Sequence, residues 1–179
     1  MEKIMFCGLG CLALASVLGC ADQTPYSERI LWEDAAVVDR GPGGPLPDYS
    51  ITPGRNTVLE LRNGYSRGRW TTAHASHDVV YLVLSQEPKP YDDLRFTAAD
   101  GTLYYTGFGG YSFKTLDPNM PATAELRVRD ISDRRMTATV RVALYFNRQG
   151  VNSPESPHLY VVNDIATFTR RKSPSSSTP

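Results

Sequence analysis

The chain has 179 residues, with 19 basic and 19 acidic side chains and a formal net charge of zero. Nucleic acid requires a concentrated positive field on its partner, so a neutral chain predicts no nucleic-acid partner. The length suits a single domain, and 41% hydrophobic residues are enough to fill one core.

The N-terminal segment is apolar. Residues 4–19 carry no charge and follow Glu2 and Lys3. A transmembrane helix needs about 20 apolar residues, so this shorter segment fits the core of a secretory signal peptide instead. We therefore expect residues 1–19 to be removed, which takes Cys7 and Cys11 with them and leaves no internal disulfide. The alternatives are an ordinary signal peptide and an uncleaved membrane-docking helix.

The segment ends in Val17-Leu18-Gly19-Cys20, where a small residue precedes a cysteine. These four residues resemble the lipobox of bacterial lipoproteins, with Val17 and Leu18 in the places that usually hold leucine and a small residue. The resemblance implies cleavage before Cys20, attachment of acyl chains such as palmitate to its thiol, and a lipid-anchored protein of the bacterial cell envelope. In that family an aspartate directly after the cysteine favours the inner membrane. Ala21 holds this place, which slightly favours the outer membrane.

The region after Cys20 divides by composition into a tether (20–28), a single β-rich domain (29–170) and a polar tail (171–179). Residues 29–39 fit either a short helix capped by Ser27 or a bulged first strand. Residues 41–53 are rich in proline and glycine, which predicts an extended loop.

A period of two, typical of strands, begins at residue 57. Residues 57–62 alternate apolar and charged side chains, and Asn63-Gly64 predicts a tight turn after them. Residues 79–84 are continuously apolar and β-branched, which predicts a central strand buried on both faces. Asp100-Gly101 is the strongest hairpin signal in the chain.

Further strands are predicted at residues 111–116, 123–131, 136–146 and within 159–169. Residues 123–131 and 136–146 alternate strictly, and the short link between them predicts a hairpin. About eight strands with hardly any helical periodicity indicate an all-β fold, an antiparallel β-sandwich or a small barrel. Residues 21–179 show no resemblance to a specific family.

One cluster could ligate a metal ion. His74 and His77 are three residues apart, Asp78 follows, and His158 could complete the set. The three-residue spacing suits one ion only on a helical turn, whereas the surrounding sequence predicts a loop. Hydrogen-bonded or solvated loop histidines are therefore the expected alternative, and we expect no metal and no other cofactor.

Aromatic residues next to glycine and arginine indicate a binding surface. Tyr65 and Trp70 flank Arg67 and Arg69, while Phe108 and Tyr111 surround a glycine-rich turn. Exposed rings stack on sugars or on peptide side chains, and arginines supply hydrogen-bond donors. The alternative is that these rings fill the core.

The sequence thus supports two hypotheses about function. The first is a non-enzymatic, lipid-anchored envelope protein that binds a protein or glycan partner or serves a structural role. The second is a small metal-dependent hydrolase that uses His74, His77 and Asp78. No Gly-x-Ser-x-Gly motif or free cysteine nucleophile supports a third.

Overall fold

The computed structural model describes residues 23–39, 49–67, 76–109, 112–149 and 157–174. These residues form ten strands and no helix, and every pairing is antiparallel except that of β1 with β10. The strands are β1 (Gln23–Asp39), β2 (Tyr49–Pro53), β3 (Asn56–Arg67), β4 (Ser76–Leu84), β5 (Asp93–Thr97), β6 (Leu103–Gly109), β7 (Ser112–Leu116), β8 (Ala122–Ile131), β9 (Arg135–Gln149) and β10 (His158–Lys172). The predicted all-β, mainly antiparallel fold is confirmed, with two strands more than expected.

The strands belong to one sheet that closes on itself. Its order is β10-β1-β3-β4-β6-β7-β9-β8-β5, and β10 also pairs with β9. The described strands β1, β3, β4, β6, β7, β9 and β10 therefore form a hydrogen-bonded ring, from which β8 and β5 branch at β9. The arrangement is barrel-like, and an apolar core fills the interior of the ring.

The strict alternation predicted for β8 and β9 sets which side chains enter this core. In β8, Ala122, Ala124, Leu126 and Val128 are buried, and the residues between them are exposed. In β9, the six alternate apolar residues from Met136 to Phe146 are at most 5% exposed. Truncating a side chain such as Leu126 to alanine should cost about 2–5 kcal/mol, because the packed neighbours cannot fill the space.

The predicted burial of β4 on both faces is confirmed. Val80, Leu82 and Leu84 face the core inside the ring. Val79 and Tyr81 belong to a second apolar cluster, which also contains residues from the end of β1 and from β2. There the ring of Tyr49 in β2 meets the ring of Tyr104 in β6 edge-on, with 5.1 Å between centroids. The end of β1 and β2 thus cover the outside of the ring.

The boundaries at the N-terminal side differ from the prediction. Residues 23–28 were assigned to the tether by composition, but they form the first part of β1 and pair with β3 from Gln23 onward. Residues 29–39 continue this strand with a register shift between Trp32 and Ala35, where Asp34 has φ 49°. The bulged strand is therefore correct and the helix is not. At the other terminus, β10 extends to Lys172, two residues into the predicted tail.

Two local predictions from proline and glycine were wrong. Residues 49–53, within the predicted extended loop, form β2, because they can pair with the end of β1. Asn63-Gly64 is not a turn, since β3 continues to Arg67. A Cβ on Gly64 would lie 2.4 Å from the backbone oxygen of Ser76 and 2.8 Å from the ring of Tyr26. This glycine therefore permits close packing across strands.

Asp100-Gly101 does form a turn, and Gly101 has the expected positive φ of 64°. The strands on either side do not pair as a hairpin, however. β5 pairs with β8, and β6 pairs with β4. The turn thus carries the chain from one part of the sheet to another, and longer-range pairing overrides the local hairpin signal.

Candidate functional site

One end of the ring contains most of the described residues that were predicted to be functional. Gln23 at the start of β1 pairs with Arg67 at the end of β3, and Ser76 at the start of β4 pairs with Gly109 at the end of β6. Gly109 pairs in turn with Ser112 at the start of β7. We call this the N-terminal end of the ring, because the chain enters the described fold here.

The predicted binding residues in the described fold lie at this end. Tyr65 and Arg67 are in the last three residues of β3, and Phe108 is next to last in β6. Cys20, Arg69, Trp70, His74 and Tyr111 lie outside the described residues.

The predicted metal ligands that the structure describes do not come together. His77 and Asp78 are consecutive residues of β4, so their side chains point to opposite faces of the strand. Asp78 points into the ring, where Tyr105 contacts it, whereas the ring of His77 lies beside the ring of Phe108 in a tilted arrangement, with 6.0 Å between centroids. Burial lowers the pKa of His77. His158 begins β10 and stacks on Phe146, and no group of three His, Cys, Asp or Glu residues among those described is arranged for a metal.

A row of polar residues, interrupted by one glycine, crosses the inside of the ring at its N-terminal end. Each member is directly opposite the next in the strand register, so all share the inner face. This polar layer consists of Ser27, Asn63, Asp78, Gly107, Lys114 and Arg148. It lies next to the apolar core, which begins two residues further along the strands with Leu61, Val80 and Tyr105.

Asp78 is the centre of the polar layer. Lys114 Nζ donates to both of its carboxylate oxygens at 2.9 and 3.0 Å, and Tyr105 donates its hydroxyl to Oδ1 at 2.6 Å. The Lys114 ammonium also lies 5.4 Å from the centroid of Phe146. Burial, together with the negative charge of Asp78, raises the pKa of Tyr105. The carboxylate is therefore engaged by a cation and a neutral phenol, which suits a structural role better than that of a general base.

Side chains bridge the ring where its strands separate. The β1–β10 pairing covers only residues 30–33 and 169–172, so the N-terminal parts of these strands are not paired with each other. Asn63 Nδ2 donates to the Tyr160 hydroxyl at 2.6 Å, and Arg29 Nη2 donates to Asn63 Oδ1 at 2.9 Å. Burial lowers the pKa of Arg29. This chain of contacts joins β10 to the paired strands β1 and β3 at a level where β10 has no backbone pairing with either.

Four aromatic side chains surround the N-terminal end, and we call them the aromatic rim: Tyr26, Tyr65, Phe108 and Phe113. Tyr26, Tyr65 and Phe113 are exposed, at 37%, 49% and 47% respectively. The rings of Phe108 and Phe113 meet edge-on at 5.2 Å. From sequence, Tyr65 could lie either on a binding surface or in the core, and its exposure favours a surface.

A second candidate surface lies on the outer face of β8 and β9 and was missed by the sequence analysis. It is a groove of about 590 Å³ lined by Tyr91, Asp93, Glu125, Arg127, Val128, Arg129, Thr139 and Arg141. Tyr91 is 77% exposed and has φ 70°, a conformation that is costly for a bulky residue. We call this surface the arginine groove.

Backbone contacts fix Tyr91 beside the arginines. The amide of Tyr91 donates to the carbonyl of Val128 at 3.1 Å, and the amide of Val128 donates to the carbonyl of Asp92 at 2.9 Å. Arg129 Nε donates to Thr139 Oγ1 at 2.8 Å, and Arg127 lies 3.7 Å from Asp93. An aromatic ring and three guanidinium groups therefore share one open groove.

The fold itself defines the class of this protein as an all-β ring of mainly antiparallel strands. No family model matches the chain, and neither a curated protein nor a solved structure gives a match. The part of the chain that the structure describes contains no helix long and apolar enough to cross a membrane.

Proposed function

We propose that the chain is a lipid-anchored protein of the bacterial cell envelope that acts without catalysis, by binding a glycan or protein partner. The resemblance of residues 17–20 to a lipobox supports the anchor at Cys20. The arginine groove supports the binding role and is the observation on which the proposal rests.

The groove favours an acidic partner. Guanidinium groups bind carboxylates through paired, charge-assisted hydrogen bonds, and an exposed tyrosine ring stacks on the apolar face of a sugar. Arg127, Arg129 and Arg141 outnumber Asp93 and Glu125 in the lining. The lining has eight residues, whereas a stable protein interface uses about 20–30 on each side. A short stretch of acidic glycan therefore fits this groove better than a folded protein.

The hydrolase hypothesis has less support. It needs His74, His77 and Asp78 to converge, yet His77 and Asp78 point to opposite faces of β4. Asp78 is also occupied by Lys114 and Tyr105. We therefore retain only the binding function as the proposal.

The anchor is tested by labelling cells with a fatty-acid analogue and separating membranes from soluble protein. The wild-type chain should carry the label and fractionate with membranes, and Cys20→Ser should lose the label. Label that persists in Cys20→Ser would overturn the anchor.

The binding role is tested by calorimetric titration of the purified, acylated chain in detergent micelles. Oligosaccharides that contain uronic acids should bind, and neutral oligosaccharides of equal length should bind more weakly. Tyr91→Gly is a sharp probe, because glycine adopts the positive φ without strain but removes the ring. Binding should fall while thermal stability is kept.

Arg55→Gln is the matched control for Arg129→Gln. Arg55 is a solvent-exposed arginine between β2 and β3, outside the groove lining. Arg129→Gln should weaken acidic-glycan binding, and Arg55→Gln should leave it unchanged. Equal effects of the two substitutions, or binding only to an acidic protein isolated by crosslinking, would overturn the glycan assignment.

A further inference from the structure

The start of β1 sets how far the folded domain can be from its anchor. Only two residues, 21 and 22, lie between Cys20 and Gln23, the first residue of β1, so the link spans three residue steps. An extended chain covers at most about 3.3–3.6 Å per residue, so this link reaches roughly 10 Å. The nine-residue tether predicted from sequence would have reached about three times as far.

This distance is comparable to the thickness of a lipid headgroup layer. The hydrocarbon core of a bilayer is about 30 Å thick and the whole bilayer about 40–45 Å, which leaves roughly 5–8 Å of headgroups on each side. A domain that begins within about 10 Å of an acylated cysteine must therefore lie against the headgroups. The N-terminal end of the ring is the part held closest to them.

The aromatic rim lies at this same end. Tyr26 is three residues after Gln23 along β1, Gly64 is directly opposite it, and the register continues through His77 to Phe108 and Phe113. Tyr65 belongs to the next row, opposite Ser76. The exposed rings thus surround the point where the chain enters the fold.

The distribution of the rim over both faces of the sheet indicates the shape of its partner. Tyr65 is on the inner face with Asn63, whereas Tyr26, Phe108 and Phe113 are on the outer face. A ligand in a groove would lie along one face. An extended surface that meets the end of the ring can contact both.

We infer that the aromatic rim docks on the lipid bilayer, with its rings in the interfacial region between headgroups and acyl chains. This inference depends on the proposed anchor at Cys20. Tyrosine combines an apolar ring with a polar tip and suits this region, and phenylalanine adds buried apolar area. The rim would then fix the orientation of the ring on the membrane, with the β8–β9 turn at the opposite end directed away from it.

Single-cysteine probes test the inference, because Cys20 is the only cysteine outside residues 1–19. Phe113→Cys places a probe on the rim, and Asp133→Cys places one in the exposed turn between β8 and β9. Each acylated variant is labelled with a fluorophore and reconstituted into phosphatidylethanolamine–phosphatidylglycerol vesicles that carry nitroxide-labelled acyl chains. The rim probe should lose most of its fluorescence, and the turn probe should keep it. Equal quenching of the two probes, or quenching of neither, would overturn the inference.

Two further measurements separate the rim from the anchor. A maleimide reacts with the Cys20 thiol of the wild-type chain only if Cys20 is not acylated, so its reaction would contradict the anchor independently of the rim. The Cys20→Ser protein should still bind the same vesicles weakly, and Tyr26→Ser combined with Phe113→Ser should abolish this binding while the far-ultraviolet circular dichroism is unchanged. Unchanged vesicle binding by the combined variant would overturn the rim even if the anchor is confirmed.

Discussion

Lys114 Nζ lies 2.9 and 3.0 Å from the two carboxylate oxygens of Asp78, inside the ring and next to its apolar core. The side chains are only 9% and 16% exposed, respectively. Charges in such a position are costly to bury and are tolerated because each neutralises the other. The pair also joins β4 to β7, which are separated in the sheet by β6.

Removing one member of this pair should therefore be strongly destabilising. We expect Lys114→Met to lower the free energy of unfolding by about 3–5 kcal/mol, because the Asp78 carboxylate loses its cation inside the protein. Adding Asp78→Asn should recover part of the loss, since the amide oxygen can still accept from Tyr105. Urea unfolding of the two single variants and the double variant measures the coupling.

Arg95→Gln provides the comparison for this cycle. Arg95 lies 3.7 Å from Glu125, and the two side chains are 85% and 53% exposed. Water screens such a pair, so its loss should cost less than about 1 kcal/mol. A similar cost for Lys114→Met would contradict the structural role of the buried pair.

Gly107 leaves the space that the cluster of Asp78, Lys114 and Tyr105 occupies. A Cβ at this position would lie 2.7 Å from Asp78 Oδ1, 2.9 Å from the Tyr105 hydroxyl and 3.0 Å from Lys114 Cδ. We expect Gly107→Ala to displace these groups and to cost about 1–3 kcal/mol, in the range measured for overpacking. Thermal unfolding measures the cost.

Gly101 is the control glycine. Its φ is positive, but the nearest atom to an added Cβ is the Tyr104 hydroxyl at 3.6 Å. Gly101→Asn should be nearly neutral, because asparagine tolerates this backbone conformation. A Gly107→Ala protein as stable as Gly101→Asn would show that the cluster adjusts without cost.

Which side chains of a strand face the core was predictable from sequence, because it follows from the local period of two. Residues 123–131 and 136–146 present the same alternate residues to the core that their pattern predicts. The link between them is a hairpin, and β8 and β9 pair directly. Local pattern and strand pairing agree here, because the two strands are consecutive in the chain.

Strand pairing was less predictable, because it depends on residues far apart in the chain. Asp100-Gly101 forms its turn, but β5 and β6 find their partners elsewhere. Asn63-Gly64 has the composition of a turn, yet the glycine is needed for its close approach to Tyr26 and Ser76. The dipeptide alone does not indicate whether the chain turns at this position or whether the glycine is needed for close packing between strands.

The candidate sites were also predictable only where local sequence marks them. Tyr65 and Phe108 were predicted as binding residues from their glycine and arginine neighbours, and they lie at one end of the ring. The arginine groove was missed because Tyr91 and Arg141 are far apart in sequence and meet only through the packing of the β4–β5 connection on β8 and β9. The exposed arginines of β8 were the only local signal.

Glu60 can be used to test the second apolar cluster, on the outside of the ring, because its hydrogen-bond partner Trp32 packs against that cluster. It is fully buried and accepts hydrogen bonds from Trp32 Nε1 at 2.6 Å and from Arg62 Nε. We expect Glu60→Leu to cost about 2–3 kcal/mol, because the indole and the guanidinium lose a charged acceptor. Glu60→Gln keeps the shape and one acceptor oxygen and should cost less. Chemical unfolding of both variants, followed by tryptophan fluorescence, makes the comparison, and equal costs would contradict a stabilising role for the acceptor oxygen that glutamine keeps.

His77 should make the stability of the fold depend on pH. Burial, the largest cause, lowers the pKa of His77 in the folded chain, and Lys114 and Arg62 lower it further against the opposing charge of Asp78. In the unfolded chain the pKa is about 6.5, so above that pH the residue is neutral in both states and contributes no pH dependence. Below about pH 6.5 the unfolded chain takes up a proton that the folded chain does not, and stability falls until the pH drops below the lowered pKa.

His77→Asn removes this effect, while His158 and the carboxylates are common to both proteins. The difference in unfolding free energy between the wild type and His77→Asn should therefore be constant above about pH 6.5 and should change against the wild type below it. A difference that is constant throughout this range, or that favours the wild type at low pH, would contradict the burial of a neutral His77.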